Sequence, residues 1–261
     1  MVISRGANDE IQEPEDPGAL RRRPRRCGGR GRPRENSAYT FSSGTSFAAP
    51  VVSGMAALLR KWFLAREIDP APSLIKAVIA ATATDLGAAL GGDYRPSYKQ
   101  GWGRANLERA TDPAVARFYV NENGLLAVTA GVERTWTRTI DNPGKDTYLV
   151  LAWSDPASEI TAGHPLVVND LSFRVDLVGG NRVWWGNNFR ENVVGIDDGY
   201  SHAYTSTQAA LSDMINNVEA IFIPAGTFPA GSKIKIRVKG VGVPKGPQKF
   251  SVYGYNVKLG S

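Results

Sequence analysis

The sequence predicts an α/β portion rich in helix followed by an all-β sandwich of jelly-roll type. Two observations carry that expectation. Up to about residue 110 the apolar side chains recur at helical spacing, whereas beyond Asp112-Pro113 they alternate with a period of two. The second region holds about eight strand-like segments in roughly 145 residues, which fits two antiparallel sheets face to face. With 261 residues, 42% hydrophobic and 21% charged, the chain is long and apolar enough for one large or two small cores. Three parts are expected: a basic head over 1–36, the α/β portion over 37–112 and the β-sandwich over 113–261.

The head differs from everything downstream. Five acids between Asp9 and Asp16 precede eight arginines between Arg21 and Arg34, with almost no apolar side chains among them. Such a stretch cannot offset its ordering entropy by burial, so a loose segment is expected. It also lifts the formal charge to +6 and leaves a nearly balanced body. Its arginines lack the interleaved aromatics of a nucleic-acid platform, so no nucleic-acid partner is expected. The single cysteine, Cys27, excludes an internal disulfide and a multi-thiolate zinc site. No run of 18 apolar residues occurs, which argues against a membrane partner. The start, MVISRGANDE, has no signal-peptide pattern.

Tyr39-Thr40-Phe41 reads as a short extended segment and Ser42-Ser43-Gly44 as a turn. Residues 46–64 form a helix that is apolar almost all round until Arg60, with small residues at Ala48, Ala49, Ser53, Gly54 and Ala56. Such helices are usually central, and small side chains permit close neighbours. Pro50 is expected in the early helix, where a missing N–H costs least. The string Asp69 to Ser73 starts a second helix over 74–84. Strands are expected at 117–121, 126–129, 134–140, 147–153, 171–177, 217–223, 233–239 and 250–258. In the clearest one, Ile234, Ile236 and Val238 face one way and Lys233, Lys235, Arg237 and Lys239 the other.

One constellation carries chemistry. Ser46 stands where a glycine-containing turn enters an apolar helix. First-turn N–H groups lack intrahelical partners, so a developing oxyanion can sit beside the Ser46 amide. Gly44 leaves room for a close backbone approach. A serine before a helix is, taken alone, most often an N-cap.

The full string Gly44-Thr45-Ser46-Phe47-Ala48-Ala49-Pro50 resembles the nucleophile motif of the subtilisin-like serine proteases (subtilases, S8). The resemblance continues through Pro72 to Ala77, through Thr82-Ala83, and through Gly101-Trp102-Gly103-Arg104-Ala105-Asn106, similar to the family's closing turn. Further on, Leu151 to Pro156, Leu166 to Leu171, Gly186-Asn187, Asn216 to Glu219 and Gly246 to Phe250 resemble the C-terminal sandwich of subtilases of the oxidatively stable alkaline protease type. Ser172 stands where those proteins usually carry a carboxylate. The resemblance implies a serine endopeptidase acting on polypeptides, with Ser46 as nucleophile, Gly44 and Thr45 shaping the turn, and export from the cell.

Acyl transfer by a serine needs a base within hydrogen-bond reach and a group orienting that base. The resemblance puts the family's Asp, His and oxyanion Asn before the serine, yet residues 1–45 contain no histidine. His164 and His202 follow Ser46 and are expected to be loop histidines. The chain alone is therefore expected to be inactive, its missing partner being an upstream catalytic segment. The resemblance also implies that residues 37–112 are the end of a doubly wound α/β domain, so without that segment the 46–64 helix would lack the sheet it should cover. Compensating frameshifts around codons 6–37, or a downstream start assignment, would account for the odd head. A non-catalytic sandwich module that stabilises a protease is the alternative role.

No cofactor is required for the chemistry. A structural Ca²⁺, which the resemblance implies for the sandwich loops, has Asp155, Asn169, Asp170, Asp197, Asp198 and Asn216 as candidate oxygen ligands. Loop Asp and Asn also commonly make their own turns. Trp184-Trp185 suits core or sheet-edge packing, with stacking on a sugar or peptide as the functional alternative.

Overall fold

A computed structural model describes residues 44–91, 93–158, 167–190, 197–206 and 213–260. The expectations for the head, for 39–43 and for His164 lie outside the described residues.

Helix α1 (Thr45–Leu64) is followed by α2 (Pro72–Thr82), a 3-10 turn (Gly87–Leu90) and α3 (Leu107–Thr111). Pro72 occupies the first position of α2, where its fixed φ suits the helix, so α2 starts two residues before the expected Leu74. Pro50 sits deeper than expected. It is the sixth residue of α1, so the Ser46 carbonyl loses its helical N–H partner. By length and composition α1 could cross a bilayer, a property it shares with helices buried inside proteins. The α/β portion also keeps an antiparallel bridge between Thr84 and Arg104.

The β region comprises β1 (Arg117–Val120), β2 (Ala127–Val128), β3 (Glu133–Thr139), β4 (Thr147–Ala152), β5 (Asp170–Leu177), β6 (Arg182–Trp185), β7 (Tyr204–Thr205), β8 (Val218–Ile223), β9 (Lys233–Gly242), β10 (Gln248–Lys249) and β11 (Ser251–Tyr255). One sheet has the order β1-β11-β4-β8, the other β3-β9-β5-β6-β7, and β10 pairs with β2. All strand pairings are antiparallel. Neither sheet closes on itself among the described residues.

Between the sheets lies one core, where Leu149, Leu151, Ile221 and Val252 meet Phe173, Val175, Ile234 and Ile236. The four-stranded sheet also has a second apolar face. Tyr148, Val150, Ala220, Phe222 and Tyr253 share a cluster with Leu74, Ala77, Val78 and Ala81 of α2. Every residue of β4, β8 and β11 is therefore buried. Chain position 112–116 separates helices from strands, but no break in the core coincides with it.

Polar contacts reinforce that junction. Glu122 is buried and accepts from the hydroxyls of Ser73 and Ser154 and from the Ser154 N–H, while its own N–H donates to Ser251 Oγ at 2.9 Å. Ser73 and Ser251 are themselves 2.8 Å apart. Asn121 accepts from the Ala71 N–H at the start of α2 and donates to the Asp69 carbonyl. At the other end of α2, buried Arg95 donates to the Ala83 carbonyl at 2.6 Å and lies 4.3 Å above the Phe222 ring. Desolvation lowers its pKa, though the neighbouring Asp85 charge works the other way.

Candidate active site

Gly44 precedes α1 with φ 147°, a value side-chain-bearing residues rarely adopt, and its carbonyl accepts from the Phe47 and Ala48 N–H groups. This leaves the Thr45 and Ser46 N–H groups without a backbone acceptor among the described residues. No acidic side chain stands in the first turn. The positive end of a 20-residue helix thus meets no acidic side chain from its own first turn beside Ser46. Gly44, Thr45 and Ser46 are all exposed, and the Ser46 hydroxyl sits at the open start of the helix.

Beside it runs a groove of about 860 Å³ between α1 and α2, lined by Thr45, Ala49, Val52, Ala56, Ile75 and Ile79. Its far rim carries the Arg60–Asp69 ion pair at 2.9 Å. Phe47, Val51 and Leu58 are exposed on α1 among the described residues. Only Met55, Leu59 and Phe63 of α1 are buried.

Nothing titratable is hydrogen-bonded to Ser46 among the described residues. His202 belongs to the β region: its N–H donates to the Asn188 carbonyl and its ring meets Tyr204 edge-on at 4.5 Å.

The Gly101-Trp102-Gly103 turn staples the helices to the sheet. Gly103 has φ 101° and a Cβ there would lie 2.5 Å from the Thr84 carbonyl oxygen, so only glycine fits. Trp102 meets Phe222 edge-on.

Of the six candidate calcium ligands, Asp155, Asn169, Asp198 and Asn216 hydrogen-bond within the protein. Asp155 accepts from the Val168 and Asn169 N–H groups, a turn role. Asn169 is buried and bonded to Gln248 and Lys245. Asp198 pairs with Arg190 at 2.6 Å, and Asn216 donates to Asp213. No group of three His, Cys, Asp or Glu side chains is gathered for a metal ion among the described residues. Asp170 is different. Its Oδ1 is buried without a hydrogen-bond partner, as is Oε1 of the almost fully buried Glu219. Desolvation raises the pKa of both, and the charge of Asp213 raises them further. Gly186 makes this possible, because a Cβ there would collide with the Glu219 carboxylate. Two orphaned carboxylate oxygens fit a hard cation in donor chemistry. Glu219 was not legible as a candidate, since only the fold reveals its burial and its proximity to Asp213.

Trp184 is buried and packs against Phe228, in line with the core expectation, while Trp185 is half-buried with Arg174 5.0 Å above its ring.

Residues 25–103 match the Subtilase family (Peptidase S8), a match that spans Ser46 and ends at the Gly101–Gly103 turn. A 75-residue stretch is 48% identical to an extracellular serine protease of Serratia marcescens. That stretch is 29% of this chain and 6% of the relative's length.

Proposed function

We propose that the chain is the C-terminal part of a secreted serine endopeptidase in which Ser46 is the acylated nucleophile. The observation that carries this reading is the geometry at residue 46: an exposed serine at the start of a long helix, its N–H without a backbone acceptor among the described residues, beside an open groove. The serine oxygen would attack a peptide carbonyl, its proton passing to a base, and the leaving amine would take that proton as the acyl-enzyme forms. The Ser46 N–H would hold half of the developing oxyanion. The base, its orienting carboxylate and the second oxyanion donor come from an upstream segment, so the chain alone is inactive. The β region is taken as a jelly-roll sandwich of the oxidatively stable alkaline protease type. Likeness to an extracellular serine protease of Serratia marcescens supports the secreted origin.

A fluorophosphonate probe tests the reading, because it labels only activated serines. Labelling of Ser46 is expected when an upstream segment carrying the family's Asp and His is supplied, and none in Ser46→Ala. If the mixture stays unlabelled, the alternative role gains: a non-catalytic sandwich that stabilises a protease.

Calcium is proposed at Glu219 Oε1 and Asp170 Oδ1, where it would neutralise two poorly solvated carboxylates and bridge β8 to β5. Added Ca²⁺ should raise the melting temperature of the chain but not of Glu219→Gln. An equal rise in both would remove this site.

A further inference from the structure

We infer that the outer face of the five-stranded sheet is a docking surface for an extended anionic polysaccharide. Lys233, Lys235, Arg237 and Lys239 project from β9 on the side opposite Ile234, Ile236 and Val238, which fill the core. Pairing register puts Arg174 of β5 beside Arg237 and Asp176 beside Lys235. The arginines are already answered: Asp176 pairs with Arg174 and Arg237 at 2.5 Å each, and Glu133 pairs with Arg237 at 2.7 Å. Lys233, Lys235 and Lys239 have no ion pair among the described residues. They form a straight cationic row of roughly 20 Å, at ~3.4 Å per residue.

The usual reasons for such lysines fall short. Lysines often guard sheet edges against unwanted pairing, but β9 lies inside the sheet between β3 and β5. Glu133 stands opposite Lys239 and Asp176 beside Lys235, but both carboxylates are engaged by Arg174 or Arg237, so the face keeps a surplus of positive charge beyond an even mixture. Charge complementarity therefore selects a polyanion whose charges recur along a line. Hydroxyl neighbours narrow the class. Thr135 and Thr137 of β3 are exposed and stand opposite Arg237 and Lys235, one strand spacing away. Hydroxyls beside cations suit a polymer that alternates charge with hydroxyl groups, as uronate and sulfated polysaccharides do. Nucleic acid would want a stacking platform. Register puts Trp185 on this face beside Arg174, and that ring is half-buried beneath the Arg174 guanidinium.

The proposal stands apart from the chemistry at Ser46, and its test reads lysines directly. The full chain is acetylated at low salt with and without polygalacturonate, heparin, neutral dextran or single-stranded DNA, and each lysine is quantified by mass spectrometry. Either anionic glycan should protect Lys233, Lys235 and Lys239 but not Lys61, Lys76 and Lys99, and dextran should protect none. Protection by polygalacturonate alone or heparin alone supports the proposal and distinguishes uronate from sulfate recognition. Replacing Lys233, Lys235 and Lys239 by Gln should weaken glycan affinity about a hundredfold. The same replacement at Lys61, Lys76 and Lys99, with equal loss of net charge, should leave it within about twofold. Uniform protection of all six lysines, equal weakening by both triple variants, stronger protection by DNA, or no protection would each overturn it. Circular dichroism confirms that both variants are folded before affinities are compared.

Discussion

Helix α1 and strand β4 are both apolar along nearly their whole length, yet their surroundings differ completely. All six residues of β4 are buried, because its sheet meets the second sheet on one face and α2 on the other. Of the 20 residues of α1 only three are buried. An all-round apolar segment signals central burial, and β4 has found its two neighbours while α1 has found one. The β region with α2 behaves as a finished three-layer body. Helix α1, which carries Ser46, has one packed side and one bare side among the described residues.

Mutations can break or sharpen that contrast. Phe222→Ala, in the cluster shared by β8 and α2, should destabilise by about 3–5 kcal/mol in urea unfolding. A smaller loss would mean that α2 adds little to the sheet. Glu122→Ala leaves Ser73 and the Ser154 N–H without their acceptor and should cost about 3 kcal/mol, with Glu122→Gln recovering part of it. Gly103→Ala meets the Thr84 carbonyl and an unfavourable φ, for roughly 2 kcal/mol in the same assay.

A smaller effect comes from Glu219. Its folded pKa lies above the unfolded value, chiefly through desolvation and then through Asp213. Its contribution is therefore fully present below the ordinary carboxylate range and is lost as pH rises through the folded pKa. In chelator, stability measured against pH should fall across that window, and Glu219→Gln should flatten the slope. Val51→Ser, on the bare side of α1, should change stability by less than about 0.5 kcal/mol. A cost near that of Phe222→Ala would show that α1 is covered after all.

Local pattern made much of this legible. Alternation located β3, β4, β5, β8, β9 and β11 to within a few residues, and Gly44-Thr45-Ser46 marked the serine. Strands β7 and β10 are two residues each, too short to alternate. Strand β6 contains Trp184-Trp185, whose opposite fates follow from facing opposite sides of a sheet. The Glu122 network was illegible because Ser73, Ser154 and Ser251 are far apart in sequence and each is unremarkable alone. Asp170, at the start of β5, was legible as a candidate oxygen ligand, whereas Glu219 was not, because its burial near the start of β8 comes from the fold.

Amide hydrogen exchange compares α1 with β4 in one experiment and tests the central claim, that a finished β body carries an unfinished serine-bearing helix. In the chain alone, amides over residues 49–58 should exchange by local opening, well before those of β4. With the upstream catalytic segment bound they should slow toward the β4 rate as Ser46 becomes labelled. Protection of α1 equal to that of β4 in the isolated chain would contradict the account.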